Sequence, residues 1–170
     1  MKRGDFMGTK FSVLVNLFFK RIEKDKSFFH YFELDDNSAM QLAEERADTY
    51  LHEAIGRLML QGSPTVDFGD RDEENKCFNF ELTDIEKLIL PSLMYEYYLD
   101  RDVSLLKLKS VDYTPTEMRV FDPTGARNSF LNMYEQLKRT NEQLLSNYRD
   151  TDRLTREYRS FDFSKYDITS

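Results

Sequence analysis

One cysteine, two histidines, six glycines, four prolines and no tryptophan leave this 170-residue chain poor in the residue types that most chemistry requires. The lone thiol, Cys77, rules out an internal disulfide framework and points to a reducing compartment or an indifferent one. No long apolar run is present either. The longest uncharged stretch, Phe11 to Phe19, falls well short of the roughly 20 residues that span a bilayer, so we expect no membrane anchoring. The opening Met1-Lys2-Arg3-Gly4-Asp5 is basic before it turns apolar. It lacks a small-residue cleavage site, and Lys20, Arg21 and Glu23 break off the apolar stretch, so we do not expect a signal peptide. Positive charge is also in deficit. A net charge of −7 argues against nucleic acid as the main partner, because gripping a phosphate backbone takes a clustered basic surface.

The same scarcity bears on catalysis. With so few glycines there is no phosphate-cradling loop, no G-x-S-x-G nucleophile turn and no dinucleotide fingerprint. His52-Glu53 begins like a zinc-protease helix, but the position of the second histidine is Gly56, which leaves a surface histidine on a helix. Asp70, Asp72, Glu74 and Glu81 take the spacing of a calcium loop. Asn75 stands where that loop needs glycine, and no helix leads in, so a solvated acidic loop is the better reading. Glu44, Glu45 and Asp48 read as a solvated helix face. We therefore expect no enzyme, no metal and no cofactor, and instead a soluble protein that works by binding other proteins.

What the chain does contain is aromatic side chains and charge. Fourteen Phe and ten Tyr make a lean 40% hydrophobic content sufficient for one core, and rings left outside such a core tend to mark contacts. Apolar spacing predicts helices. Phe11, Leu14, Val15, Phe18, Phe19 and Ile22 form one stripe, and the cluster Phe28, Phe29, Tyr31 and Phe32 is expected to pack back as a short helical turn. A second helix starts at a capping box, Ser38 with Gln41, carries Ala39, Leu42, Ala43, Ala47, Tyr50, Leu51, Ala54, Ile55, Leu58 and Met59, and stops at Gly62 and Pro64. A third starts at the capping box Thr83 and Glu86 and is apolar nearly all round. That pattern suggests a central element or a second face buried against another subunit, with a kink at Pro91. The last carries Phe130, Met133, Tyr134, Leu137, Leu144, Leu145 and Tyr148.

We therefore expect an all-α fold, a small bundle of about four main helices over residues 1–148, with long inter-helix arms at 62–81 and 110–126. The alternation Phe78, Phe80, Leu82 allows a short strand in the first arm. Residues 149–170 are expected to form an extended C-terminal arm. In it Tyr158, Phe161, Phe163, Tyr166 and Ile168 sit among charges of both signs, a composition suited to a partner's sheet edge or pockets, or to packing back on the bundle.

A helical bundle with an acidic inter-helix arm and an aromatic C-terminus resembles the head-to-tail connector (adaptor) proteins of tailed bacteriophages. The local match is Asp84 to Asp102, an apolar helix that ends in aromatics and then an arginine with acidic neighbours: Tyr97, Tyr98, Arg101 and Asp102. Ala47 to Leu60 and the Leu/Tyr stripe of the last helix are in matching order, so the likeness covers about two-thirds of the chain at the level of pattern. The chain departs from the shortest family members in its length and in Pro91. The resemblance implies a virion protein assembled in the host cytoplasm as a homo-oligomeric ring, usually a dodecamer, beneath the portal protein. It implies that the C-terminal segment, through Tyr158, Phe161, Phe163 and Tyr166, anchors the portal. The 62–81 and 110–126 arms and the third helix, with Tyr97, Tyr98 and Arg101, would make ring contacts or meet a stopper or tail protein. DNA would pass through the lumen without specific binding. The alternative from composition alone is a cytoplasmic helical regulator or chaperone whose acidic surface binds a basic partner.

Overall fold

A computed structural model describes residues 8–29, 34–112 and 124–159, with the side chains of 27, 102–112 and 124–127 left aside. Five helices, α1 (Phe11–Arg21), α2 (Lys26–Phe29), α3 (Asp36–Arg57), α4 (Asp84–Asp112) and α5 (Thr124–Asp150), account for most of these residues. A π-turn, Leu58–Gly62, extends α3, and two short strands, β1 (Arg71–Asp72) and β2 (Cys77–Phe78), pair antiparallel. The expected all-α class holds.

The central element is α4. Its Ile89, Leu90, Leu93, Met94, Tyr98 and Leu99 are all buried, and α1, α3 and α5 each pack against it. From Ile89 to Leu99 the apolar surface of this helix is thus largely covered by its own chain, while Leu88 remains exposed. The helix also runs through Pro91. On α3, Ala39, Ala43, Ala47 and Ala54 are buried, small residues of the kind that let two helix backbones approach closely.

Phe11, Leu14 and Phe18 of α1 and Ile22 at its C-terminal cap are buried as the stripe predicts. Phe18, Phe28 and Tyr98 meet edge-on at centroid distances of 5.7 to 6.1 Å, with Phe19, Phe29 and Tyr50 around them. Each such pair contributes about 0.5–1.5 kcal/mol beyond its buried area.

Three local expectations are corrected. Asp35, not Ser38, caps α3, because its carboxylate reaches the amides of both Asn37 and Ser38 at 3.0 Å while Ser38 Oγ donates back to it at 2.8 Å. The 62–81 segment is not a free arm. Its β-hairpin packs on the bundle through buried Phe68 and Phe78, ringed by Phe11 and Phe80 at 5.0 to 5.6 Å. The N-terminal segment adds to this hairpin: Thr9 N donates to Phe80 O, Phe78 N to Thr9 O, and Phe11 N to Lys76 O, which caps α1 where Lys10 offers no side-chain cap. Gly8 is required there, since a Cβ would lie 1.7 Å from the Phe78 carbonyl oxygen. Finally, α4 extends to Asp112 and α5 begins at Thr124, so both ends of the expected 110–126 arm are helical and residues 113–123 lie outside the described residues.

At the far end, Gly62 lets the π-turn sit against α5. A Cβ there would meet Leu58 at 2.8 Å and Tyr148 at 3.2 Å. Ser63, in the left-handed region at φ 43°, then ends the helix.

Candidate functional site

The last turn of α5 leads into a closed loop rather than an extended strand. Asp152 N donates to Glu157 O at 2.8 Å, Arg159 N to Asp150 O at 2.9 Å, and Thr151 and Tyr158 form a bridge. The Asp152 carboxylate turns the chain by accepting from the amides of Leu154 and Thr155 at 2.8 and 2.9 Å. Those amides hold the Asp152 carboxyl below the usual carboxylate range.

One side chain fastens this loop to the bundle. Arg153 Nε donates to Glu86 Oε1 at 2.6 Å, and its terminal nitrogen donates to Glu86 Oε2 at 2.8 Å and to the Glu81 carbonyl at 2.7 Å. Its guanidinium also lies 5.5 Å from the centre of the Phe80 ring. Glu86 is fully buried and closes the predicted capping box with Thr83, accepting from Thr83 N at 2.7 Å. Tyr148 donates its phenol to the same carboxylate at 2.6 Å. Burial opposes ionisation of Glu86, but the bonds from Arg153 and Tyr148 outweigh it, and its carboxyl sits below the ordinary value. Burial and the bond to Glu86 push the Tyr148 phenol well up.

From this fixed base two apolar side chains project outward, Leu154 at 75% and Tyr158 at 79% exposure. Between the loop and the start of α4 lies a groove of about 730 Å³ lined by Phe80, Ile85, Lys87, Leu154 and Arg156. Of the C-terminal residues predicted to bind a partner, Tyr158 is placed here, at the surface. Phe161, Phe163, Tyr166 and Ile168 lie outside the described residues.

The other predicted contacts separate. Tyr98 is almost fully buried in the aromatic core and donates to Asp25, so it is a core residue that a partner could reach only by unfolding the chain. Arg101 stacks over it at 5.4 Å. Tyr97 is half-buried, and burial raises its phenol. It faces a second groove, of about 780 Å³, between α3 and α5.

A buried polar chain forms the wall of that groove and crosses the bundle behind it. Arg57 pairs with Glu96 at 2.7 Å, Asn141 donates to Glu96 at 2.8 Å, and Ser92 Oγ donates to Asn141 Oδ1 at 2.7 Å. Arg21 reaches Ser92 Oγ at 3.4 Å from the α1 side, and burial lowers its pKa. Among the described residues no buried side-chain polar atom lacks a partner. Sequence reading missed two bonded groups, Glu86 with Arg153 and Tyr148, and Glu96 with Arg57 and Asn141. The available signal was Glu86 and Glu96 themselves, since an acid on a helix that is apolar all round must be buried and paired.

The acidic segment with calcium-loop spacing spends its carboxylates locally. Asp72 accepts from Asn75 N and Nδ2 at 2.9 and 2.6 Å, and Asp70 from Asn79 Nδ2 at 2.7 Å. His52 faces the Asp48 carbonyl at 2.8 Å and Glu73 at 3.2 Å, which ties α3 to the hairpin. Among the described residues, no group of three or more His, Cys, Asp or Glu is arranged to hold a metal ion, and no helix is long and apolar enough to cross a membrane. No protein-family model, no curated protein and no solved structure matches this chain.

Proposed function

We propose that this protein is a non-catalytic assembly protein, a head-to-tail connector of a tailed bacteriophage. In this reading it forms a ring beneath the portal protein, a dodecamer in the usual arrangement, receives a stopper or tail protein on its other face, and passes DNA along an acidic lumen. It resides in the virion. The observation that supports it is the latched C-terminal loop. Arg153 bonded to buried Glu86 gives the chain a rigid point of departure at Arg159, and Leu154 and Tyr158 stand exposed beside it. A binding arm loses less freedom on docking when its root is already ordered. The aromatic residues Phe161, Phe163 and Tyr166, with Ile168, come directly after it in sequence. The acidic character of the whole chain suits a surface along which DNA slides without sticking.

Mass photometry of the full-length protein, alone and with portal protein, tests this. A cyclic oligomer, or a complex with portal that is abolished by Phe161→Ala with Phe163→Ala, is expected. A protein that stays monomeric and ignores portal at micromolar concentration overturns the reading.

A further inference from the structure

The groove between α3 and α5 is separate from the C-terminal loop, and what it implies does not depend on the connector reading. Both helices pack on α4, yet α3 proper and α5 make almost no contact with each other and are joined at one end through the π-turn. The result is a slot with α4 as its floor, the position that a further helix would occupy in a complete bundle. Four features set its chemistry. Leu60 stands on the rim at 85% exposure, held outward on the π-turn. Gly56 opens the α3 wall, where an added Cβ would meet nothing within 4 Å. On the floor the charge of Glu96 is answered by Arg57, while Asp100, which accepts from the Tyr134 phenol at 2.8 Å, keeps its negative charge. The walls carry exposed Glu53 and Glu142 against a single Lys138.

We propose that this slot is a docking site for an amphipathic α-helix of another protein, one that presents lysine or arginine beside a leucine-like anchor. α3 and α5 stand apart on a common floor, the arrangement of a helix-in-groove site, and the Gly56 notch permits close backbone approach. The apolar anchor covers Leu60 and Tyr97, and the basic residue answers Glu53 and Glu142. A second copy of this chain is the poorer occupant, because at net −7 it brings like charge to an acidic slot.

The test uses the full-length protein and two fluorescent helical peptides of about 18 residues, long enough to hold helical structure. One carries leucine on one face and lysine on the other, and the second has every lysine replaced by glutamate. Fluorescence anisotropy measures affinity, and amide chemical shifts locate the contact. The basic peptide is expected to bind with shifts concentrated at 53–61, 96–100 and 134–142, and the acidic peptide to bind at least about tenfold more weakly. Glu53→Lys with Glu142→Lys is expected to weaken binding about tenfold or more, whereas Glu44→Lys with Glu74→Lys, an equal charge change away from the slot, has little effect. Gly56→Leu projects into the notch from a Cβ that meets nothing within 4 Å, so it is expected to fold, with an unchanged or raised melting temperature, and to block the peptide.

Equal binding to both charge-reversed variants would mean that general acidity attracts the peptide, and would overturn the proposal. So would undiminished binding to a folded Gly56→Leu protein, shifts mapped elsewhere, no binding of the basic peptide, or self-association that Gly56→Leu abolishes.

Discussion

Arg153 and Glu86, 67 residues apart in sequence, meet in a two-pronged ion pair at 2.6 and 2.8 Å, and the carboxylate is entirely removed from solvent. This pair joins the end of the last helix to the start of the central one, and it orders the loop from which the C-terminal residues depart. Removing the cation alone would strand a buried anion. Arg153→Ala is therefore expected to destabilise the fold by about 3–5 kcal/mol, measured by urea denaturation. Arg153→Met with Glu86→Gln removes both charges, and its loss should be well below the sum of the two single changes.

The same pair makes stability depend on acidity. The folded-state pKa of Glu86 lies below its ordinary value of 4.5, so its contribution is fully present above that value and drains away as the pH falls through the lower folded one. Stability measured from about pH 6 down to about pH 3 should decline more steeply for the native chain than for the Arg153→Met/Glu86→Gln variant. A variant that declines equally would place the acid sensitivity elsewhere.

Asn141 is the hinge of the buried polar chain, bonded to Ser92 Oγ, to the Ser92 carbonyl and to Glu96. Truncation to alanine leaves at least one buried group unsatisfied, so Asn141→Ala should cost about 1–3 kcal/mol. An unchanged denaturation midpoint would contradict the bonding pattern.

At Gly8 the backbone of the N-terminal segment lies flush against the hairpin. A Cβ 1.7 Å from the Phe78 carbonyl oxygen cannot be accommodated, and the obstruction is backbone rather than a side-chain tip. Gly8→Ala should cost about 1–3 kcal/mol or release this pairing. Hydrogen exchange at the amides of Phe11 and Phe78, which bond to Lys76 O and Thr9 O, distinguishes a detached segment from an intact one.

Leu154 and Tyr158 make no comparable internal packing. Leu154→Ala with Tyr158→Ala should move stability by no more than about 0.5 kcal/mol while weakening any complex formed through the C-terminal loop. A large loss of stability would show that these side chains serve the fold instead.

Much of the helical content was legible from spacing. The stripe Phe11, Leu14, Phe18, Ile22 and the alanine face of α3 are buried as their periods predict, because a 3.6-residue repeat commits one side of a helix to the core whatever it packs against. The Thr83–Glu86 capping box was equally readable, being a bond between neighbours in sequence. Ser38 was a near miss for the same local reason, since Asp35 offers a charged acceptor within reach of the same amides.

Spacing within one helix determined which residues leave water, and it decided that α4 would be buried almost all round. It did not decide what buries it. That came from tertiary structure, in which α1, α3 and α5 cover the helix and place Tyr98 in the core instead of at an interface. The ion pairs Arg153–Glu86 and Arg57–Glu96 and the slot beside Leu60 likewise depend on residues distant along the chain. Periodicity reports only the side of a helix that seeks a partner. A buried charge or an uncovered groove is a property of the partner that arrives.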